Sequence, residues 1–171
     1  MLAALDRILD RLIDACGAIA MTAITLAGVL ITVDVAIRGL GFGVIKGGTE
    51  TVEYLVFVTA FYSAPWVLRQ NAHIRVDFLL QLVPRGFARA LEVFADAVGS
   101  LVVLIIMYYA ARIGLQSFRE GRLVFKTYFF PEWWIYAAAT VALFLLLLEF
   151  IRRTQRGLRR EREPEAGQLN W

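Results

Sequence analysis

The side chains that could do chemistry are few, and they lie at the margins of long apolar runs. A single cysteine, Cys16, excludes an internal disulfide, and a single histidine, His73, excludes bis-histidine haem ligation and a histidine-rich metal site. The sequence contains no nucleophile elbow, phosphate-binding glycine loop or metal-ligand spacing, so neither enzymatic chemistry nor a bound cofactor is expected. What remains is a set of ionisable groups next to apolar sequence, where each needs a partner or access to water. Asp34 and Arg38 are four apart with the carboxylate first, the favourable sense for a pair within one helix. Glu53 could meet Arg38 across the following loop and tie two helices together, a reading favoured over that of a lone proton carrier. Asp96 reads as a helix-start acid near the headgroups, and Arg112 as a cation that snorkels. Pro131 and Glu132 form a helix start, and Phe129, Phe130, Trp133 and Trp134 around them form an aromatic cluster suited to a membrane interface.

These groups have to be positioned by membrane helices. Of 171 residues, 59% are hydrophobic, 19% are charged, and mean hydropathy is +0.62. Soluble domains carry about a quarter charged residues, so the composition excludes an ordinary water-soluble or disordered protein. The expected fold is all-α and integral to the membrane. Four spans are placed at about residues 15–37, 51–68, 93–115 and 133–151, within one domain of residues 1–155, ahead of a charged tail at residues 156–171. Before the first span, Leu2, Leu5, Ile8, Leu9, Leu12 and Ile13 recur at helical spacing, with Asp6, Asp10 and Asp14 elsewhere on the wheel. This predicts an amphipathic lead-in along the membrane surface. Its three aspartates argue against a cleaved signal peptide, and Cys16 precedes the apolar run instead of following it, which argues against a lipoprotein site. Between the second and third spans, residues 69–92 are too charged to cross and are expected to lie on the surface, broken at Pro84.

Counting Lys and Arg on alternate sides of four spans gives twelve on the side of the termini and six on the other, so both termini are expected in the cytoplasm. Much of that excess is in the tail. The net charge of +3 is therefore read as a membrane-orientation signal, with lipid and not nucleic acid as the expected contact. Small residues four apart occur in every span: Ala23 with Ala27, Ala60 with Ala64, Ala95 with Gly99, Ala110 with Gly114, and Ala138 with Ala142. Such spacing lets helices approach closely in lipid. No carboxylate sits mid-span, and Pro65 falls near the end of its run, so no span shows the central interruption that unwinds a helix around a substrate. The chain reads as a scaffold.

One segment carries more. Leu68-Arg69-Gln70-Asn71-Ala72-His73-Ile74-Arg75-Val76-Asp77, followed by Leu82-Val83-Pro84, resembles the small membrane subunit of tripartite ATP-independent periplasmic (TRAP) transporters. In that family a span ending in arginine leads to a His-[Ile/Val]-x-Val-Asp motif and then a Leu-x-Pro. Arg38 after the first span, Glu53 opening the second and Pro131 to Trp134 opening the fourth agree with it, whereas the Pro65-Trp66 pair departs from the small residues expected there. The resemblance implies a bacterial inner-membrane subunit that packs against a large permease subunit. An extracytoplasmic binding protein delivers an organic acid, and a sodium gradient drives its uptake. Arg69, His73 and Asp77 would then be structural, as would Asp34, Arg38, Glu53, Glu132 and Trp133, with none of them holding substrate. The reading from a different class is a self-sufficient oligomeric exporter that uses Glu53 or Asp96 as its coupling carboxylate.

Overall fold

The computed structural model describes residues 2–70 and 85–160. Four helices are long and apolar enough to cross a membrane: α1 (Leu2–Gly39), α2 (Gly48–Gln70), α3 (Arg85–Glu120) and α4 (Trp133–Arg160). A small antiparallel hairpin of β1 (Leu123–Phe125) and β2 (Phe129–Pro131) joins the last two. The fold is thus an all-α membrane protein with two ends. One end gathers the start of α1 and α3 and the close of α2 and α4; the other gathers the two connections, at residues 40–47 and 121–132.

The lead-in is not a separate element. It is continuous with the first span in a single helix of 38 residues, about 57 Å at 1.5 Å per residue, against roughly 30 Å of hydrocarbon. Helix α3 likewise begins at Arg85, so residues 85–92, expected in the surface segment, are continuous with the third span. The rest of that segment, residues 71–84, lies outside the described residues, and His73 and Asp77 lie there with it.

Helices α1 and α3 end at the loop side in the same way. Gly41 and Gly121 take positive φ of 77° and 64°. The following N–H groups, of Phe42 and Arg122, reach back to the carbonyls of Ile37 and Ser117 at 3.1 Å each. This Schellman geometry satisfies carbonyls that would otherwise lack a donor, and it suits a residue without Cβ.

Helix α1 packs mainly on α2 and α3 mainly on α4, while α2 meets α4 between them. Lipid tails are as apolar as the side chains, so fit decides which faces meet. On α1, Ile13, Cys16, Ala20, Ala23 and Ala27 are buried, spaced alternately three and four apart, which makes a seam of mostly small residues facing α2. The Thr59 hydroxyl on α2 donates to Leu55 O at 2.8 Å, with Ala20 O across the interface at 3.5 Å. Trp66 is accommodated by Gly17, where a Cβ would lie 2.6 Å from the indole Cδ1; the large ring thus fits because its partner has no side chain. On the other pair, Gly99 faces the Phe150 ring and Gly114 faces the Cβ of Tyr136, at 2.8 and 2.9 Å from the position a Cβ would take. Hydroxyls inside α1 bond within the helix: Thr22, Thr25 and Thr32 donate to carbonyls four residues back at 2.8 Å. They expose no unpaired donor to lipid.

The Gly114 contact is with a Cβ next to the backbone, which cannot swing aside as a ring end can. Gly114→Ala should therefore destabilise the protein in detergent by roughly 1–3 kcal/mol through overpacking. Gly28→Ala, where nothing lies within 4 Å, should be neutral or stabilising by up to about 1 kcal/mol. Equal midpoints for the two variants in thermal unfolding would contradict the close α3–α4 approach.

Candidate functional site

The spans carry no Asp, Glu, Lys or Arg across residues 15–33, 54–68, 97–111 and 133–148. Charge is confined to two belts, one at each end, and the helices that pack least directly are joined there.

At the end of the termini, Asp6, Asp10 and Asp14 are four apart and form one acidic stripe on α1. Arg69, in the last turn of α2, pairs with Asp14 and donates to the Asp10 carbonyl at 3.1 Å. Arg152 on α4 reaches Asp10 at 2.7 Å, Asp6 at 3.2 Å and Glu149 at 3.5 Å. Asp10 therefore sits between the cations of α2 and α4 and bridges three helices. The fourth joins through Asp96 of α3, which is 3.1 Å from Arg153. Asp96 and Glu149 are only 5% and 3% exposed, a depth at which a carboxylate requires a close cation. Because α3 starts at Arg85, Asp96 is about three turns inside its helix, not at its start, and its setting is an interhelical ion pair.

At the loop end, Arg38 and Asp34 form the expected pair within α1 at 2.6 Å. Asp34 also accepts the Ile45 N–H at 3.1 Å, which pins the first loop. Glu53 does not meet Arg38; it takes Lys126 of the hairpin at 2.7 Å. Glu50 accepts both the N–H and the hydroxyl of Thr127, at 2.9 and 3.0 Å. Two acids of α2 thus clasp the hairpin tip, and Phe130 stacks edge-on against Tyr54 with ring centroids 5.3 Å apart. The Glu53 hydrogen bond holds the Lys126 ammonium above its ordinary range. The lysine's part in the clasp is therefore present at neutral pH and is lost as pH rises through that raised value. Glu132 accepts the Ser117 hydroxyl at 3.0 Å and joins the end of α3 to the start of α4. Trp133 stacks edge-on with Phe118 and Trp134. Arg112 is exposed.

Sequence reasoning singled out Asp34, Arg38, Arg69, Glu132 and Trp133 and gave the Asp34–Arg38 pair, but it did not give the contacts of Arg69 with α1 or of Glu132 with Ser117. Asp10, Arg152 and Glu149 form one network and Arg153 pairs with Asp96 beside it, yet the aspartates read as the polar side of a surface helix and the arginines as a topology signal. The legible clue was the four-residue spacing of the aspartates, which places all three on one stripe of the helix. Among the described residues, no three His, Cys, Asp or Glu side chains converge to hold a metal ion. Asp96 and Glu53 are both engaged in ion pairs, so neither stands as an isolated acid of the kind that carries protons.

Over residues 27–160 the chain matches the family model for tripartite ATP-independent periplasmic transporters, DctQ component. The match covers parts of all four spans and both loop-end connections. The chain is also similar to the ectoine TRAP transporter small permease protein TeaB of Halomonas elongata, with 28% identity over 116 residues. That alignment covers 68% of this chain and 57% of TeaB, so the chain spans little more than half the length of this curated relative.

Arg152 is the residue on which the termini-end belt turns. Arg152→Gln should cost about 2–3 kcal/mol in detergent unfolding, by removing the cation that Asp6, Asp10 and the buried Glu149 share. Asp6→Asn, at a carboxylate more than half exposed, should cost less than about 1 kcal/mol. Adding Glu149→Gln to Arg152→Gln tests the contact between the two, and a fully additive double variant would contradict the coupling.

Proposed function

Because the chain belongs to the DctQ family of tripartite ATP-independent periplasmic transporter components, we propose that it packs against a large permease subunit and scaffolds it during sodium-driven, binding-protein-dependent uptake of an organic acid. The observation that carries this reading is the charge-free, unbroken middle of every span. Moving an organic anion across roughly 30 Å of hydrocarbon requires groups that replace its hydration, generally helix termini or polar side chains near the midplane. This chain keeps its charges in the end belts, so substrate and sodium are assigned to the other subunits. Its surface supports assembly: Leu101, Leu104, Ile105 and Tyr108 of α3 are exposed, as are Ile24, Ile31 and Val35 of α1. This apolar area is available to lipid and to a larger membrane partner. His73 and Asp77, in the segment that carries the resemblance, are assigned to holding the complex together. The protein is placed in the bacterial inner membrane with both termini cytoplasmic, as the distribution of basic residues supports.

Reconstituted alone, the purified chain should neither bind nor transport an organic acid. It should copurify with the large subunit on coexpression, and uptake should require that subunit, the binding protein and a sodium gradient together. Ion-driven transport by the chain alone would overturn the scaffold reading in favour of an exporter. Orientation is tested separately. In a Cys16→Ser background, Gly43→Cys should react with an impermeant thiol reagent from the periplasmic side and Gly86→Cys should not, whereas the reverse pattern would invert the topology.

A further inference from the structure

The β-hairpin between α3 and α4 has two unlike faces. Register pairs Val124 with Phe130 on one face, and Leu123 with Pro131 and Phe125 with Phe129 on the other. Val124 and Phe130 are half-buried toward α2, where Phe130 meets Tyr54. Leu123, Phe125 and Phe129 point away and are 48%, 75% and 71% exposed. We infer that this outward face is a membrane anchor, seated in the interfacial layer of the leaflet at the loop end of the bundle.

Depth is the first reason. The hairpin tip is held by Glu50 and Glu53, and its flank by Tyr54, all in the first two turns of α2. It therefore lies against the side of that helix, with Tyr128 beside Gly47 at the helix start. From Glu53 to Arg69 of the opposite belt is about 24 Å along the axis at 1.5 Å per residue, less than the roughly 30 Å of hydrocarbon. With Arg69 at one headgroup boundary, the clasp sits at or just inside the other.

Charge satisfaction is the second. The cation at the tip and its neighbouring threonine turn toward α2: Lys126 is paired with Glu53 and lies over the Tyr54 ring, and both donors of Thr127 go to Glu50. At the base Arg122 pairs with Glu120 at 2.6 Å. A loop immersed only in water gains little from such thorough pairing, but one at the edge of hydrocarbon requires it.

Continuity is the third. The adjoining span ends present Leu115, Phe118 and Trp134, which are 52%, 60% and 57% exposed. The rings of Phe118, Trp133 and Trp134 stack in sequence beneath the hairpin, and the Phe125 and Phe129 rings extend the aromatic surface with centroids 5.8 Å apart. Aromatic rings partition to the headgroup level, where an apolar body and a polar setting meet.

The test uses the full chain in phospholipid nanodiscs, with Phe125→Cys or Phe129→Cys in a Cys16→Ser background, each carrying a nitroxide. Lys46→Cys in the exposed first loop is the aqueous reference. Both hairpin labels should show a ratio of oxygen to nickel-chelate collision at least about threefold above the reference, as expected for a site in the interface, with or without the large subunit. Nickel access equal to that at position 46 would overturn the inference. Loss of collisions with both reagents only when the large subunit or binding protein is added would also overturn it, because the face would then be a protein contact. Both positions are exposed, so failure of one labelled variant to reconstitute leaves the other to give the reading.

Discussion

The structure is governed by the cost of an ionised side chain in hydrocarbon. That cost empties the middle of each helix of charge and sends the acids and bases to the ends. There the dielectric is intermediate, and each charge still needs a partner where water is thin. The result is two polar belts separated by apolar helix. Asp96 and Glu149 show the rule at its strictest, since both are buried and both have an arginine within 3.5 Å.

Between the belts, packing follows different physics. Without a hydrophobic gain between helices, only close fit holds them together, and fit is best where side chains are smallest. The α1 seam of Cys16, Ala20, Ala23 and Ala27 provides it for one pair, and Gly99 and Gly114 provide it for the other. The two pairs are therefore each well joined within themselves. What aligns one pair against the other is α2 against α4 along the spans, together with Asp10 shared by Arg69 and Arg152 at one end and the Glu50 and Glu53 clasp on the hairpin at the other.

The parts of this arrangement legible in the sequence are those that depend on one helix alone. Apolar runs reveal spans because the bilayer sets their length, and Asp34 with Arg38 could be paired because an i, i+4 relation is local. Partners across the bundle were not legible. Glu53 had two plausible cations within reach of a loop, and which one it takes depends on where the hairpin folds down, a tertiary fact with no periodic signature. Arg152 illustrates the same limit: an arginine after an apolar run signals topology whether or not a neighbouring helix presents an acid. The continuity of α1 and α3 beyond their apolar stretches was hidden for another reason. A charged amphipathic stretch has the same pattern whether it lies on lipid or continues a span and packs on protein. Trp66 opposite Gly17 is a departure from the family pattern that became intelligible only once both helices were in place.

The separation of roles between belts and middles bears on how such a chain can act mechanically. An apolar seam fixes two helices in close contact, but it resists axial sliding only through the interdigitation of small side chains. An ion pair between the helix pairs adds to that resistance, because displacement by one helical turn, about 5.4 Å, would separate Arg152 of α4 from Asp6 and Asp10 of α1. With belts at both ends, shear of one helix pair against the other breaks pairs at both headgroup levels at once. The belts thus oppose relative shear of the two helix pairs without any charged group at the midplane.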